Sequence, residues 1–161
     1  MELKYLAVVF VLGISFFTAY YIKKKGEEKL LVNEAICDLI EYIKNHIEFF
    51  CTPVDEILSN YENPVLEKYG FLSFLEDNDW ENALYESRAG SFLDKRTAAL
   101  LDSFSKRLGT GTAEEEVAGC EYTLKELRAV LDVQKSEVPK KSKAFSAISV
   151  VSGFMAVILI L

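Results

Sequence analysis

The chain has one histidine, one tryptophan, three prolines and three cysteines among 161 residues, and each scarcity removes a class of function. His46 is the sole histidine, so a metal site would have to be built from carboxylates or thiols, and none stand at matched spacing. Cys51 lies five residues beyond His46 on one predicted helix, where side chains diverge by about 140°, which argues against a Cys–His nucleophile pair. Cys37, Cys51 and Cys120 form no C-x-x-C pair, and their odd number fits reduced thiols. Cys37 and Cys51 are 14 residues apart, about 21 Å along a helix and out of disulfide reach. The Gly-Thr-Gly-Thr run at 109–112 lacks the lysine and the strand of a phosphate loop and reads as a turn. No catalytic, cofactor-binding or metal-binding residue is expected, and the chain is not read as an enzyme.

Charge is missing from both ends. Residues 5–22 and 144–161 are two uncharged stretches of 18 residues, each about 27 Å long as a helix, close to the thickness of a bilayer's hydrocarbon core. They are predicted to be transmembrane helices, since backbone amides must pair internally in lipid. A cleaved secretory signal is the poorer reading of the first stretch, because the run is long, closes on Lys23–Lys25 and puts Phe17 where a small residue is wanted. Lys23, Lys24 and Lys25 follow the first stretch, Lys140, Lys141 and Lys143 precede the second, and only Lys4 lies beyond. The positive-inside rule places the middle of the chain in the cytoplasm and both termini outside. Neither stretch carries an ionisable group for an ion pathway. Their small residues are candidate helix contacts. Ser149 with Gly153 and Ser152 with Ala156 form small-xxx-small pairs, Gly13 could face them, and the set leaves room for homo-oligomerisation.

The expected organisation is therefore a transmembrane helix with a basic flank over 1–25, a cytoplasmic helical bundle over 26–139, and a basic flank with a second transmembrane helix over 140–161. The bundle region carries 11 Lys/Arg against 24 Asp/Glu, a charge of −13, although the whole chain is only at −7. So acidic a body excludes nucleic acid as a partner.

Within 26–139 the patterns are helical and no strand is expected. Ile36, Ile40, Ile43, Ile47 and Phe50 step by three and four, the seam of a helix over 27–50 packed along another. Thr52 is the expected N-cap of the next helix, with Pro53 at its first position and Asp55 in its first turn. Asn63–Pro64 repeats the device, Asp79 caps a segment with Trp80 and Leu84 on one face, and Gly109 stops a helix bearing Leu93, Leu100, Leu101, Phe104 and Leu108. Thr112 and Glu115 form a capping box for a last helix with Val117, Cys120, Leu124, Leu127, Leu131, Gln134 and Val138 as its seam. Pro139 is expected to kink or break the connection from this helix to the second uncharged stretch. Glu114, Glu115 and Glu116 complement the helix dipole better than they would bind a metal. The fold class is all-α: two terminal transmembrane helices flanking an antiparallel bundle of about five to six helices.

An N-terminal span and four later segments carry a family resemblance: "LIEYIKNHIEFFCTPVDEIL", "LLDSFSKRLGTG", the final lysine-rich run, and the Gly153–Leu161 stretch. Their order resembles the stage III sporulation protein AB family of endospore-forming bacteria over nearly the whole chain. The matching residues are Thr52, Pro53, Val54 and Glu56 in the turn, and Leu108 with Gly109 at the helix stop. The resemblance implies a subunit in the mother-cell membrane, part of a secretion-like complex joining mother cell and forespore. It also implies a cytoplasmic domain similar to that of the type II secretion and type IV pilus inner-membrane platform protein. A cytoplasmic secretion-type ATPase and other membrane subunits are the implied partners, with the lipid bilayer. In place of a polar Gln-containing start, the last helix here begins with Glu114–Glu116. The candidate partner surfaces are the tip at Thr52, Pro53, Asp55 and Glu56, and Glu114, Glu115 and Glu116. The rival expectation is a membrane-anchored helical signalling or adaptor protein unrelated to secretion.

Overall fold

A computed structural model describes residues 2–75 and 79–160, and of residues 2–9, 11, 12, 142, 156, 157, 159 and 160 it describes the backbone alone. Every regular element among the described residues is helical: α1 (Glu2–Phe50), α2 (Val54–Ser59), α3 (Pro64–Lys68), α4 (Leu72–Leu75), α5 (Trp80–Tyr85), a 3-10 turn (Gly90–Phe92), α6 (Lys95–Ser105) and α7 (Ala113–Ile160). The chain divides into two compact units, one of residues 29–133 and one of residues 1–28 with 134–161.

The 29–133 unit is built on its stretches of α1 and α7. Val32, Ile36, Leu39, Ile40, Ile43 and Ile47 of α1 are buried, as are Cys120, Leu124, Leu127 and Leu131 of α7. Two ion pairs clip the helices on their wet side: Lys44 Nζ lies 3.0 Å from Glu121 Oε1, and Arg128 Nη2 2.7 Å from Glu41 Oε2. Residue 41 thus meets 128 and residue 44 meets 121, which makes the pairing antiparallel, as the two seams predict. The short helices close the core. Phe71 and Trp80 meet edge to face at 6.3 Å, Trp80 and Phe104 at 6.0 Å, and Tyr69 and Phe92 at 5.2 Å.

Local capping chemistry sets most helix starts. Asn63 Oδ1 accepts from the amides of Val65 (2.9 Å) and Leu66 (3.2 Å), with Pro64 in the first turn. Asp79 Oδ1 accepts from the Asn82 amide at 3.0 Å. Asp94 Oδ1 accepts from the Thr97 amide at 2.8 Å and opens α6, two residues after the 3-10 turn, so Leu93 precedes the helix instead of lying on its stripe. Burial pushes the Asp94 carboxyl upward, but the Thr97 hydrogen bonds and the Lys29 charge outweigh this and hold it below the usual range. Gly109 takes a left-handed φ of +81° and ends the turns after α6.

Three expectations are corrected. Thr52 does not cap α2: Pro53 occupies the cap position and no side chain bonds there. The Thr52 amide instead donates to the His46 carbonyl at 3.3 Å, at the end of α1. Phe50 does not continue the seam, being 71% exposed. Pro139 does not break α7, which runs through it. Proline costs a helix one donor and a clash with the preceding turn, and here the flanking turns stay helical.

In the other unit, residues 2–28 of α1 and 134–160 of α7 are helical. A Cβ on Gly26 would stand 2.8 Å from Val138 Cγ1, so the two backbones approach closely there. Ala19 and Gly153 are buried, whereas Phe10, Phe16, Phe17, Tyr20, Tyr21, Ile148, Phe154, Met155 and Ile158 are exposed. Among the described residues no helix is long and apolar enough to cross a membrane. The expected spans over 5–22 and 144–161 fall partly on side chains outside the described residues, so the transmembrane part of the fold-class expectation is not established by the fold.

Candidate functional site

The sequence points to the turn at 52–56 and the acidic start of α7, and the 29–133 unit brings both to one end of its bundle. Past Ile47 the core gives out, leaving Phe49 and Phe50 at 69% and 71% exposure. Cys51 ends α1 with a φ of +50°, a conformation that costs a non-glycine residue about 1–2 kcal/mol. The Cys51 amide donates to Ile47 O at 3.2 Å. The chain then turns through half-buried Thr52 into α2, whose Pro53, Asp55 and Glu56 are exposed while Ile57 and Leu58 are buried.

An aromatic row stiffens this end. His46 packs on Tyr42 at 4.2 Å and on Phe50 at 5.5 Å, and Tyr42 packs on Tyr61 at 4.9 Å. The Tyr61 hydroxyl accepts from Asn63 Nδ2 at 3.3 Å, and burial pushes the phenol above its ordinary range. His46 is thus a packing element of the tip.

The second surface lies alongside. A Cβ on Gly109 would sit 3.7 Å from Val54 Cγ2, so the loop before α7 rests on the start of α2. The capping box forms: the Thr112 amide donates to Glu115 Oε2 at 2.9 Å and the Glu115 amide to Thr112 Oγ1 at 3.3 Å. The hydrogen bonds from Thr112 hold the Glu115 carboxyl below its usual range. Glu116 Oε1 accepts from the Gly111 amide at 2.9 Å. Two of the three glutamates are therefore committed to the helix start, while Glu114 is exposed on the same turn. Beside them a groove of about 810 Å³ is lined by Phe104, Arg107, Leu108, Glu115, Glu116 and Tyr122, among others. Among the described residues no three of His, Cys, Asp and Glu are grouped to hold a metal.

The expected helix-contact residues belong to the other unit. Gly153 is buried, Ser149 half-buried, and Ser152 and Gly13 exposed. A Cβ on Gly13 would meet nothing within 4 Å, so it is not brought against Gly153. Of Ala156 only the backbone is described.

Phe49, Phe50 and the Arg107–Tyr122 groove were not singled out as surface features by sequence. Phe50 fits the seam's spacing and is nonetheless 71% exposed.

The family model described as stage III sporulation protein AB matches residues 4–161. No curated protein and no solved structure matches the chain.

Proposed function

The chain belongs to the stage III sporulation protein AB family, a sporulation-stage protein, and on that premise we propose that it is a non-enzymatic membrane platform subunit. The 1–28/134–161 unit sits in the bilayer of the mother cell. The 29–133 unit stands in the cytoplasm and offers its tip to a secretion-type ATPase and to other membrane subunits of the complex joining mother cell and forespore. One observation carries this reading: the 1–28/134–161 unit turns large apolar side chains outward, Phe10, Ile14, Phe16, Phe17, Ile148, Val151, Phe154, Met155 and Ile158 among them. The 29–133 unit instead buries most of its Ile, Leu and Phe in a core, Leu31, Phe49 and Phe50 being exposed, and presents charge. Apolar side chains facing outward along two neighbouring helices are stable in lipid and costly in water.

The tip has the make-up of a protein contact, with exposed aromatic Phe49 and Phe50 and exposed acidic Asp55, Glu56 and Glu114. The charge of −13 over 26–139 favours a cationic face on the partner. Cys51 is the one exposed cysteine among the described residues, so it reports topology. In intact cells a membrane-impermeant maleimide should leave Cys51 unlabelled, and in inverted vesicles it should label it. Labelling from outside, or recovery of the chain from the soluble fraction without detergent, refutes the membrane reading. Pull-down of the ATPase by the full chain should weaken for Phe49→Ala/Phe50→Ala and for Glu114→Lys, and undiminished binding refutes the tip as the contact.

A further inference from the structure

We propose that the 1–28/134–161 unit carries a binding collar for anionic phospholipid headgroups, made by two lysine clusters more than a hundred residues apart in sequence. The inference rests on the membrane reading above and adds which lipid the unit selects. Gly26 and Val138 mark where the two helices approach, with 2.8 Å left for a Cβ. That contact lies near the end of the first stretch (2–28) and the beginning of the second (134–160). The two can form one compact unit only if both extend the same way from it, which makes them antiparallel. Lys23, Lys24 and Lys25 are within one turn of Gly26, and Lys140, Lys141 and Lys143 within about 8 Å of axial rise from Val138. Both clusters therefore sit at one level, immediately before the outward-facing apolar side chains begin.

All six lysines are exposed. Three carboxylates stand at the same level, Glu27, Glu28 and Glu137. Glu27 takes Lys23 at 3.8 Å, and Glu137 takes Lys141 at 2.6 Å; the Lys141 hydrogen bond holds the Glu137 carboxyl below its usual range. Among the described residues Lys24, Lys25, Lys140 and Lys143 have no carboxylate within ion-pair distance. Tyr20 and Tyr21, 64% and 57% exposed, lie one turn further along, the level at which amphipathic rings meet headgroups. Four exposed ammonium groups outside these ion pairs, of which Lys140 also acts on Glu137 through its charge, beside Tyr20 and Tyr21 suit a lipid that offers a phosphate without a cationic headgroup, such as phosphatidylglycerol. They do not favour phosphatidylcholine, whose own ammonium would face them.

The test uses the full chain reconstituted in phosphatidylcholine vesicles with trace spin-labelled phosphatidylglycerol or spin-labelled phosphatidylcholine. Electron paramagnetic resonance reads the motionally restricted fraction next to protein. In low salt, phosphatidylglycerol should associate about fivefold more strongly, the size of one surface lysine's full attraction, and 1 M salt should erase the difference. Lys24→Gln/Lys25→Gln/Lys140→Gln/Lys143→Gln should bring the ratio to one, with unchanged circular dichroism because Lys and Gln have similar helix propensity. Equal restriction of the two lipids by the wild-type chain overturns the collar and leaves the membrane reading standing. No restricted component for either lipid overturns both.

Discussion

Gly90→Ala should unfold the 29–133 unit far more readily than its small size suggests. A Cβ at Gly90 would stand 2.0 Å from the Leu84 carbonyl oxygen and 2.6 Å from its carbon. These are backbone atoms of α5, which also carries Trp80, so no side-chain rotation relieves the clash. Either α5 or the 3-10 turn must move. Moving the turn disturbs the Gly90 amide, which donates to Ser87 Oγ at 3.0 Å, and through it the bond from the Ser87 hydroxyl to Ala83 O. It also disturbs Phe92, buried against Tyr69. Overpacking of this kind costs about 1–3 kcal/mol, and a weakened buried hydrogen bond adds about 1 kcal/mol. The lower backbone entropy of unfolded Ala returns about 0.4–1 kcal/mol. The net loss is about 1–3.5 kcal/mol. Trp80 is the only tryptophan and is buried in this unit, so urea unfolding of the full chain in mild detergent can be followed by its fluorescence. With a slope of about 1.5 kcal/mol/M, the midpoint should fall by about 0.7–2.3 M. Ser91→Ala, at an exposed neighbouring position, should move it by less than about 0.3 M. A midpoint for Gly90→Ala indistinguishable from wild type would refute the close approach of the 3-10 turn and α5.

Two further outcomes concern the cysteines and the start of α7. Burial first, and Glu116 second, push the Cys120 thiol up to about 12, and Cys37 is buried as well. Under native conditions at pH 7.5 a small maleimide should modify Cys51 alone, with Cys37 and Cys120 reacting only after denaturation. Mass spectrometry showing Cys120 modified as fast as Cys51 would refute the seam between α1 and α7. The Glu115 carboxyl, ordinarily near 4.5, is lowered by its hydrogen bonds from Thr112. Its contribution to the helix start is therefore complete above about pH 4.5 and is lost as pH falls through the lowered value. The Thr112 amide resonance should titrate with a midpoint below 4.5 and cease to titrate there in Glu115→Gln, and a midpoint at or above 4.5 denies the capping bond.

How much of the fold is legible in the sequence depends on how local each cause is. The caps at Asn63, Asp79 and Thr112 are decided within four residues, and the fold has all of them; the stop expected at Gly109 comes earlier, with α6 ending at Ser105 and Gly109 closing the turns that follow. The α1 and α7 seams repeat often enough to identify an antiparallel pair. Thr52 misleads although its signal is equally local. The departure of α1 through a left-handed Cys51 leaves Pro53, not Thr52, at the cap position of α2, and Cys gives no hint of that conformation, as Gly or Asn would. Asp94 is hidden because apolar Leu93 extends the stripe of α6 in sequence, and whether the helix begins before or after it turns on Gly90 packing against α5, a contact between elements.

The functional surfaces divide along the same line. Composition alone marks the acidic body and the two uncharged ends. That the turn at 52–56 and the start of α7 share one end follows only from the contact of Gly109 with Val54. That the two lysine clusters make one collar follows only from Gly26 meeting Val138. At Gly26 it is glycine that allows the approach, since a Cβ there would stand 2.8 Å from Val138 Cγ1. A side chain at that position would separate lysine clusters that the proposed collar needs together, so Gly26→Leu should impair lipid selectivity while leaving every lysine in place.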